Sequence, residues 1–161
     1  MKIRIQTEPF DTGAELRGMS AGRTEIGAIA CFEGLCRDHH PGESGPGEVR
    51  SMELEHYPGM TERAIADMVR QAEHRWPLLD VTVIHRVGCL LPGDPIVLVL
   101  VASAHRAAAF AACEFLMDYL KTQAPFWKKE TTANGGRWVD ARESDDAALQ
   151  RWGIASDNAA R

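Results

Sequence analysis

The stretch from Ile96 to Lys121 reads IVLVLVASAHRAAAFAACEFLMDYLK and decides how the rest of the chain must fold. Its first seven residues are all apolar, which is typical of a strand in the interior of a sheet. Apolar side chains then recur at three- and four-residue steps, which predicts an amphipathic helix that ends before Pro125. The predicted apolar face consists of Phe110, Cys113, Leu116, Met117 and Leu120. The chain therefore contains an interior strand that leads directly into a long helix.

Both ends of this predicted helix carry cations. Ser103 stands where an N-cap residue is expected, so His105 and Arg106 fall at the positive end of the helix dipole. Backbone amides and a cation at such an end favour a bound anion. A simple capping role for His105 is the alternative. Lys121 lies in the last turn, where the dipole already stabilises a cation.

Residues 121–142 form a basic segment in an acidic protein. The segment has a net charge of +3, whereas the whole chain has a net charge of −5. Its cations are Lys121, Lys128, Lys129, Arg137 and Arg142, and its acidic residues are Glu130 and Asp140. We therefore expect this segment to bind a small anionic ligand. For any one of these lysines, the alternative is a solvated surface charge.

The plausible catalytic groups are lysines, because the sequence contains no GxSxG motif, no P-loop and no GxGxxG after a strand. A lysine crowded by other cations loses its proton more readily and can act as a general acid or base. Pro125 separates Lys121 from Lys128, and a chain turn there would aim both side chains at one pocket. Arg37, at the end of a predicted strand, is a further candidate anion ligand.

The composition is that of an ordinary globular protein of 161 residues, with 45% hydrophobic and 25% charged residues, and predicts one domain. An acidic net charge argues against general binding to nucleic acid or anionic membranes. No apolar run approaches the length needed to span a membrane, so we expect a cytoplasmic protein.

Cysteine and histidine give no sign of a metal site or a disulfide framework. The four cysteines form no CxxC pair, and most fall in apolar patterns, where cysteine is usually a small buried side chain. We therefore expect a reducing compartment. His39 and His40 are adjacent, but no carboxylate or cysteine has the spacing of a metal ligand around them.

The remaining patterns predict an α+β fold, with helices on one face of a largely antiparallel sheet. Strands are expected at 3–10, at 26–32 with both faces buried, at 49–57 and at 80–88, and a helix is expected up to Trp76. His85 and Arg86 are expected to be structural or interfacial. An Asn-Gly turn predicts a hairpin subdomain within 126–142, with Phe126 and Trp127 in its core, before a polar tail at 143–161.

Several motifs in sequence order resemble the large, catalytic subunits of molybdopterin synthase. They are FEGLCRD (32–38), LEHYPGMT (54–61), VIHRVGCLLPGD (83–94), SAHRAAAF (103–110), DYLKTQAPFWKKE (118–130) and RWVDARESD (137–145). Together they cover most of the chain from about residue 26 to residue 145. A match in so many parts is more specific than any single motif.

The resemblance implies an α/β hammerhead fold with an additional antiparallel β subdomain. It also implies a sulfurtransferase that converts cyclic pyranopterin monophosphate to molybdopterin without a metal or another cofactor. The sulfur would come from the C-terminal thiocarboxylate of a small ubiquitin-like subunit, whose Gly-Gly tail enters the pocket of the large subunit. Two large subunits would form a homodimer with one small subunit at each end, giving a heterotetramer.

The resemblance also assigns roles to single residues. Lys121 and Lys128 match the two active-site lysines of the family, and His105, Arg106 and Arg37 match residues that bind the substrate. Lys129, Glu130 and Arg142 lie in matching segments and are further candidates for substrate binding. Leu35 departs from a family pattern with lysine, which puts a contact from this side chain to the precursor in question.

Two other functions are compatible with the residues alone. A non-catalytic α+β module could sense an anionic metabolite through the same basic segment, and it would bind its ligand without turnover. A binder of single-stranded RNA could use Phe126 and Trp127 with the lysines. The acidic net charge disfavours this second alternative.

Overall fold

The computed structural model describes residues 1–38, 49–132, 135–139 and 151–153, in which two four-stranded sheets and three helices are found. The strands are β1 (Lys2–Gln6), β2 (Ala28–Leu35), β3 (Val49–His56), β4 (Leu78–Arg86), β5 (Gly88–Leu90), β6 (Pro95–Ser103), β7 (Phe126–Thr132) and β8 (Gly135–Val139). The helices are α1 (Thr12–Ser20), α2 (Met60–Arg75) and α3 (Arg106–Thr122). The predicted α+β class is confirmed.

The first sheet has the strand order β1-β4-β6-β2 and is antiparallel except for the β1–β4 pair. The apolar run predicted for its interior forms β6, which is buried on both faces. Because side chains alternate along a strand, Val97, Val99 and Val101 pack under α2 and α3. Leu98 and Leu100 pack on the other face with Met19 of α1. The expectation that all helices lie on one face is therefore wrong, since α1 covers the opposite one.

Helix α3 begins two residues later than the Ser103 cap predicts. Its N-cap is His105, whereas Ser103 is the last residue of β6 and donates a 2.9 Å hydrogen bond from Oγ to the Pro77 carbonyl. The predicted apolar face is buried apart from Phe110, whose side chain is 67% exposed. Phe110 lies one residue, or about 100°, around the helix from buried Ala109, at the margin of the buried face.

Strand β2 lies at the edge of the first sheet, which contradicts the prediction of a strand buried on both faces. Cys31, Phe32 and Glu33 in its centre are exposed. Gly27 brings the start of this strand against the start of α3, because a Cβ at this position would lie 2.2 Å from the Ala104 carbonyl oxygen. One end of β2 is thus fixed beside His105, and its other end leads to Arg37.

The second sheet is antiparallel and has the strand order β5-β3-β7-β8. The predicted hairpin forms β7 and β8, and β3 and β5 complete its sheet. Part of the predicted turn, residues 133–134, lies outside the described residues. The three-residue strand β5 was not predicted. Met52, Leu54 and Leu90 form a small core beneath this sheet with Cys36.

The short described part of the polar tail docks on the helices. The Trp152 ring packs edge-on against Trp76 and Phe115, with centroid distances of 5.7 and 5.6 Å. Its Nε1 donates a 2.8 Å hydrogen bond to Asp118. In the described ranges, none of the helices has the length and apolarity needed to cross a membrane.

Candidate functional site

A cavity of about 520 Å³ opens where β2, β7 and the C-terminal end of α3 meet. The first sheet, the second sheet and α3 all contribute to its wall. Its lining residues are Phe32, Glu33, Gly34, Leu35, Arg37, Met52, His85, Ile96, Val97, Met117, Leu120, Lys121, Lys128 and Glu130. The cavity therefore brings together Arg37, Lys121 and Lys128, which are far apart in the sequence.

The strand β7 supplies a lysine that is held by a buried carboxylate. Lys128 and Glu130 are two residues apart, so both side chains point to the cavity face of the strand. Lys128 Nζ lies 2.6 Å from Glu130 Oε1, and the Glu130 side chain is only 1% exposed. Glu130 was predicted to bind substrate, and in the structure its carboxylate is paired with Lys128. This carboxylate is positioned to orient the ammonium group.

Lys121 reaches the same cavity from the last turn of α3 and is exposed. Met117 and Leu120, on the preceding turn, give the wall beside it an apolar surface. Lys121 lies near the negative end of the helix dipole, which attracts a cation. Lys121 is thus a cation at the mouth of a partly apolar cavity.

Arg37 is placed by the segment that follows β2. Cys36 fixes this segment by two backbone hydrogen bonds, from its N–H to the Asp94 carbonyl at 2.8 Å and from Gly93 N–H to its own carbonyl at 2.7 Å. The Arg37 side chain is exposed and lines the cavity. Leu35 also lines it and is 52% exposed, so an apolar side chain stands where the family resemblance suggests a lysine.

Other predicted site residues do not line this cavity. His105 and Arg106 lie at the opposite end of α3, about 22–24 Å from Lys121 along the helix axis at 1.5 Å per residue. Lys129 is adjacent to Lys128 in β7, so its side chain points to the other face of the second sheet. Arg142 and the whole predicted loop at 39–47, with His39 and His40, lie outside the described residues.

His85 was predicted to be structural or interfacial, and the structure places it in the cavity wall. Its ring stacks on Phe126, with the centroids 3.9 Å apart, and its Nδ1 lies 2.8 Å from the Arg86 carbonyl oxygen. Burial lowers the pKa of His85 to about 4, so the ring is neutral at neutral pH. The motif VIHRVGCLLPGD contains this residue but gives it no role in binding, and only its position between the two sheets reveals its access to the cavity.

The adjacent Arg86 is structural, as predicted. Its side chain is buried, and it donates hydrogen bonds to the carbonyl oxygens of Thr7 and Pro95 at 3.2 and 3.1 Å. Phe126 packs against the main core, whereas Trp127 on the other face of β7 is 42% exposed. The core position predicted for Phe126 is therefore confirmed, and the one predicted for Trp127 is wrong.

The described cavity wall has more positive than negative charge. Arg37, Lys121 and Lys128 oppose the carboxylates of Glu33 and Glu130, which leaves an excess of one positive charge. The wall contains no cysteine among its described residues. All four cysteines are free, and Cys31 and Cys89 are exposed, contrary to the prediction that most are buried. In the described ranges, no cluster of three or more His, Cys, Asp or Glu residues could hold a metal ion.

Residues 5–123 match the family model described as MoaE protein. The chain belongs to the MoaE family. A curated member from Ralstonia nicotianae, named molybdopterin synthase catalytic subunit, is 61% identical over 98% of this chain and 87% of its own length. The MoaE protein of Burkholderia ambifaria has a solved structure with a TM-score of 0.80 and 57% identity, over 95% of this chain and 98% of that one.

A more distant solved structure, molybdopterin synthase from Staphylococcus aureus, has a TM-score of 0.75 and 30% identity, over 84% of this chain and 95% of that one. The MoaE fold is therefore the fold described above. The matched range of the MoaE model includes Arg37 and Lys121 but ends before Lys128. Lys128 falls in the wider range that is shared with the Ralstonia nicotianae protein.

Proposed function

We propose that this chain is the catalytic subunit of a molybdopterin synthase, which converts cyclic pyranopterin monophosphate to molybdopterin. The observation that carries the proposal is the convergence of Arg37, Lys121 and Lys128 on one cavity, in a chain so similar to a protein named for this activity. A cyclic phosphate needs cations around it, and the cavity has an excess of them. A cytoplasmic location accords with this function.

The sulfur in this reaction comes from a partner. As the family resemblance implies, the thiocarboxylate at the C-terminus of a small ubiquitin-like subunit supplies the sulfur. A described cavity wall without cysteine is consistent with this, because it offers no thiol nucleophile of its own. The small subunit's Gly-Gly tail enters the cavity beside the precursor. No metal or other cofactor is needed for this chemistry.

The two lysines transfer protons and stabilise negative charge during the reaction. Lys121 and Lys128 transfer protons, and with Arg37 they stabilise the negative charge that develops as the phosphate ring opens and the acyl link to the partner hydrolyses. Glu130 holds Lys128 in place through the 2.6 Å contact. Its role is thus one of positioning, and the roles predicted for Lys129 and Arg142 in substrate binding stay predictions.

A second copy of the chain would complete the site. Strand β2 is at a sheet edge, and exposed Phe32 and Phe110 lie on β2 and on the neighbouring helix α3. The first residue of β2, Ala28, is paired with Ser103, close to His105. The last, Leu35, lines the cavity. If two β2 strands pair antiparallel about a two-fold axis, His105 and Arg106 of one copy approach the cavity of the other.

This arrangement gives His105 and Arg106 the substrate-binding role that a single chain cannot provide. It corresponds to a central homodimer, and one small subunit bound at each cavity then makes a heterotetramer. A two-fold axis between edge strands is a common way to bury an exposed sheet edge.

The experiment is to measure molybdopterin formation from purified precursor and thiocarboxylated small subunit. Lys121→Ala should lower the rate by about 100-fold or more, the usual scale for loss of a general acid or base. Its urea unfolding curve should remain close to that of the wild type. Arg70→Ala is the matched control, because it removes an exposed cation of α2 whose ion-pair partner is Asp67.

Full activity of Lys121→Ala would remove this lysine from the mechanism. Wild-type protein that binds the precursor but never converts it would instead support the non-catalytic metabolite-binding module.

A further inference from the structure

His85 is held in the cavity wall by two contacts that fix its ring. The ring lies nearly parallel to Phe126, with an interplanar angle of 17°, and Nδ1 is bonded to the Arg86 carbonyl. The residue is only 9% exposed, yet it lines the cavity. A side chain fixed on one face and at one nitrogen can present only a particular edge to a ligand.

The hydrogen bond to Arg86 determines which nitrogen of His85 carries the proton. A carbonyl oxygen can only accept, so Nδ1 must carry the hydrogen and donate it. In a neutral imidazole, Nε2 is then left with a free lone pair. Burial, with a smaller contribution from nearby His56, lowers the pKa of His85 and keeps the ring neutral.

The second ring nitrogen of His85, Nε2, is not bonded within the described fold. Within the described part of the chain it has no hydrogen-bond partner, yet it is not fully buried, unlike the unpaired Arg4 Nε and Gln123 Nε2. Because Nδ1 and one face of the ring are occupied, we infer that this accessible atom faces the space that His85 lines. For His85 that space is the cavity.

The other polar side chains of the described wall offer different chemistry. Arg37, Lys121 and Lys128 can only donate hydrogen bonds when charged. Glu130 is bound to Lys128, and Glu33 accepts a 3.0 Å hydrogen bond from Thr12 Oγ1. His85 is thus a neutral acceptor in a wall of charged groups. Its lone pair would repel phosphate oxygens and attract an N–H group.

We propose that Nε2 of His85 accepts a hydrogen bond from a ring N–H or amino group of the substrate's nitrogen heterocycle. The cations hold the phosphate end, and His85 orients the other end. This inference rests on the proposed function, since it takes the substrate to be a heterocycle that carries a phosphate.

Two substitutions separate this role from a purely structural one. The amide of His85→Asn can occupy the position of Nδ1 and keep the donor to Arg86, but it leaves no acceptor at the position of Nε2. The longer His85→Gln places its amide near Nε2 and can restore the acceptor, but it loses the donor at Nδ1. If the histidine matters only for the fold, Asn should be the better replacement.

The measurement is calorimetric titration of the full chain with cyclic pyranopterin monophosphate and, separately, with inorganic phosphate. We expect His85→Asn to bind the precursor about tenfold more weakly, the scale of one hydrogen bond. His85→Gln should recover most of that loss. Neither substitution should change the affinity for inorganic phosphate, which contacts only the cations.

Each other outcome overturns the inference. Equal precursor affinity in wild type and His85→Asn would show that Nε2 contacts no donor, and equal losses in both variants or a parallel loss of phosphate binding would indicate a structural role. Wild-type turnover with the thiocarboxylated subunit, measured alongside, distinguishes these results from failure of the proposed function. Wild-type protein that neither binds nor converts the precursor would overturn both.

Discussion

Neutralising the buried carboxylate of Glu130 tests whether its ion pair with Lys128 stabilises the fold and orients the lysine. Two unit charges 2.6 Å apart attract by about 6 kcal/mol at an effective dielectric constant of 20. Desolvation offsets most of this attraction, and breaking a fully buried pair costs about 3–5 kcal/mol. Lys128 is 30% exposed, so water solvates its ammonium group in the variant. We therefore expect Glu130→Gln to lower the free energy of unfolding by about 2 kcal/mol.

The assay is urea unfolding of the wild type and of Glu130→Gln, together with turnover of the precursor. A loss of about 2 kcal/mol lowers the unfolding midpoint by about 1 M urea at an m-value of about 2 kcal/mol/M. Turnover should fall by about tenfold or more because Lys128 is no longer oriented. Affinity for inorganic phosphate should not fall, because the cavity loses a negative charge.

Glu53→Gln is the matched control for this substitution. Glu53 is exposed on β3 and is paired across the strands with Lys129. Its replacement should change the free energy of unfolding by less than about 0.5 kcal/mol. A Glu130→Gln variant as stable and as active as Glu53→Gln would refute the role given to the pair.

Two further predictions concern assembly and pH. Phe110→Glu places a charge on the surface proposed for the second copy, so we expect a monomer by analytical ultracentrifugation. Turnover should also fall strongly, even though Phe110 does not line the cavity. A fully active dimer would contradict the proposed pairing. Because the folded-state pKa of His85, about 4, is below its usual value, its neutral form stabilises the fold above about pH 6.5, and this contribution declines as the pH falls towards 4. Between pH 7 and pH 5, urea unfolding should show a loss of stability about 2 kcal/mol larger in the wild type than in His85→Asn, and equal losses would refute it.

The sequence predicts the elements of this fold better than their arrangement. The periodicity of 96–121 predicts β6 and α3 because each has a local apolar pattern. The edge position of β2 depends on strand order, which no local pattern contains. The same limit applies to β5, which is too short for a recognisable period, and to α1, whose face of the sheet is set by packing.

The candidate site is predicted in part. Arg37, Lys121 and Lys128 line one cavity, as expected from the basic segment and the turn at Pro125. The alternation of a strand already implies that Lys128 and Lys129 point to opposite faces, so that signal was present in the sequence. His85 could not be found in this way, because its access to the cavity arises from contacts between two sheets.

Helix α3 has Lys121 at one end and Arg106 at the other. In the proposed dimer, this single rigid rod would serve two catalytic centres, its own through Lys121 and its neighbour's through Arg106. A substitution that displaces this helix would therefore disturb both centres of the dimer, and not only the centre of the chain that carries it.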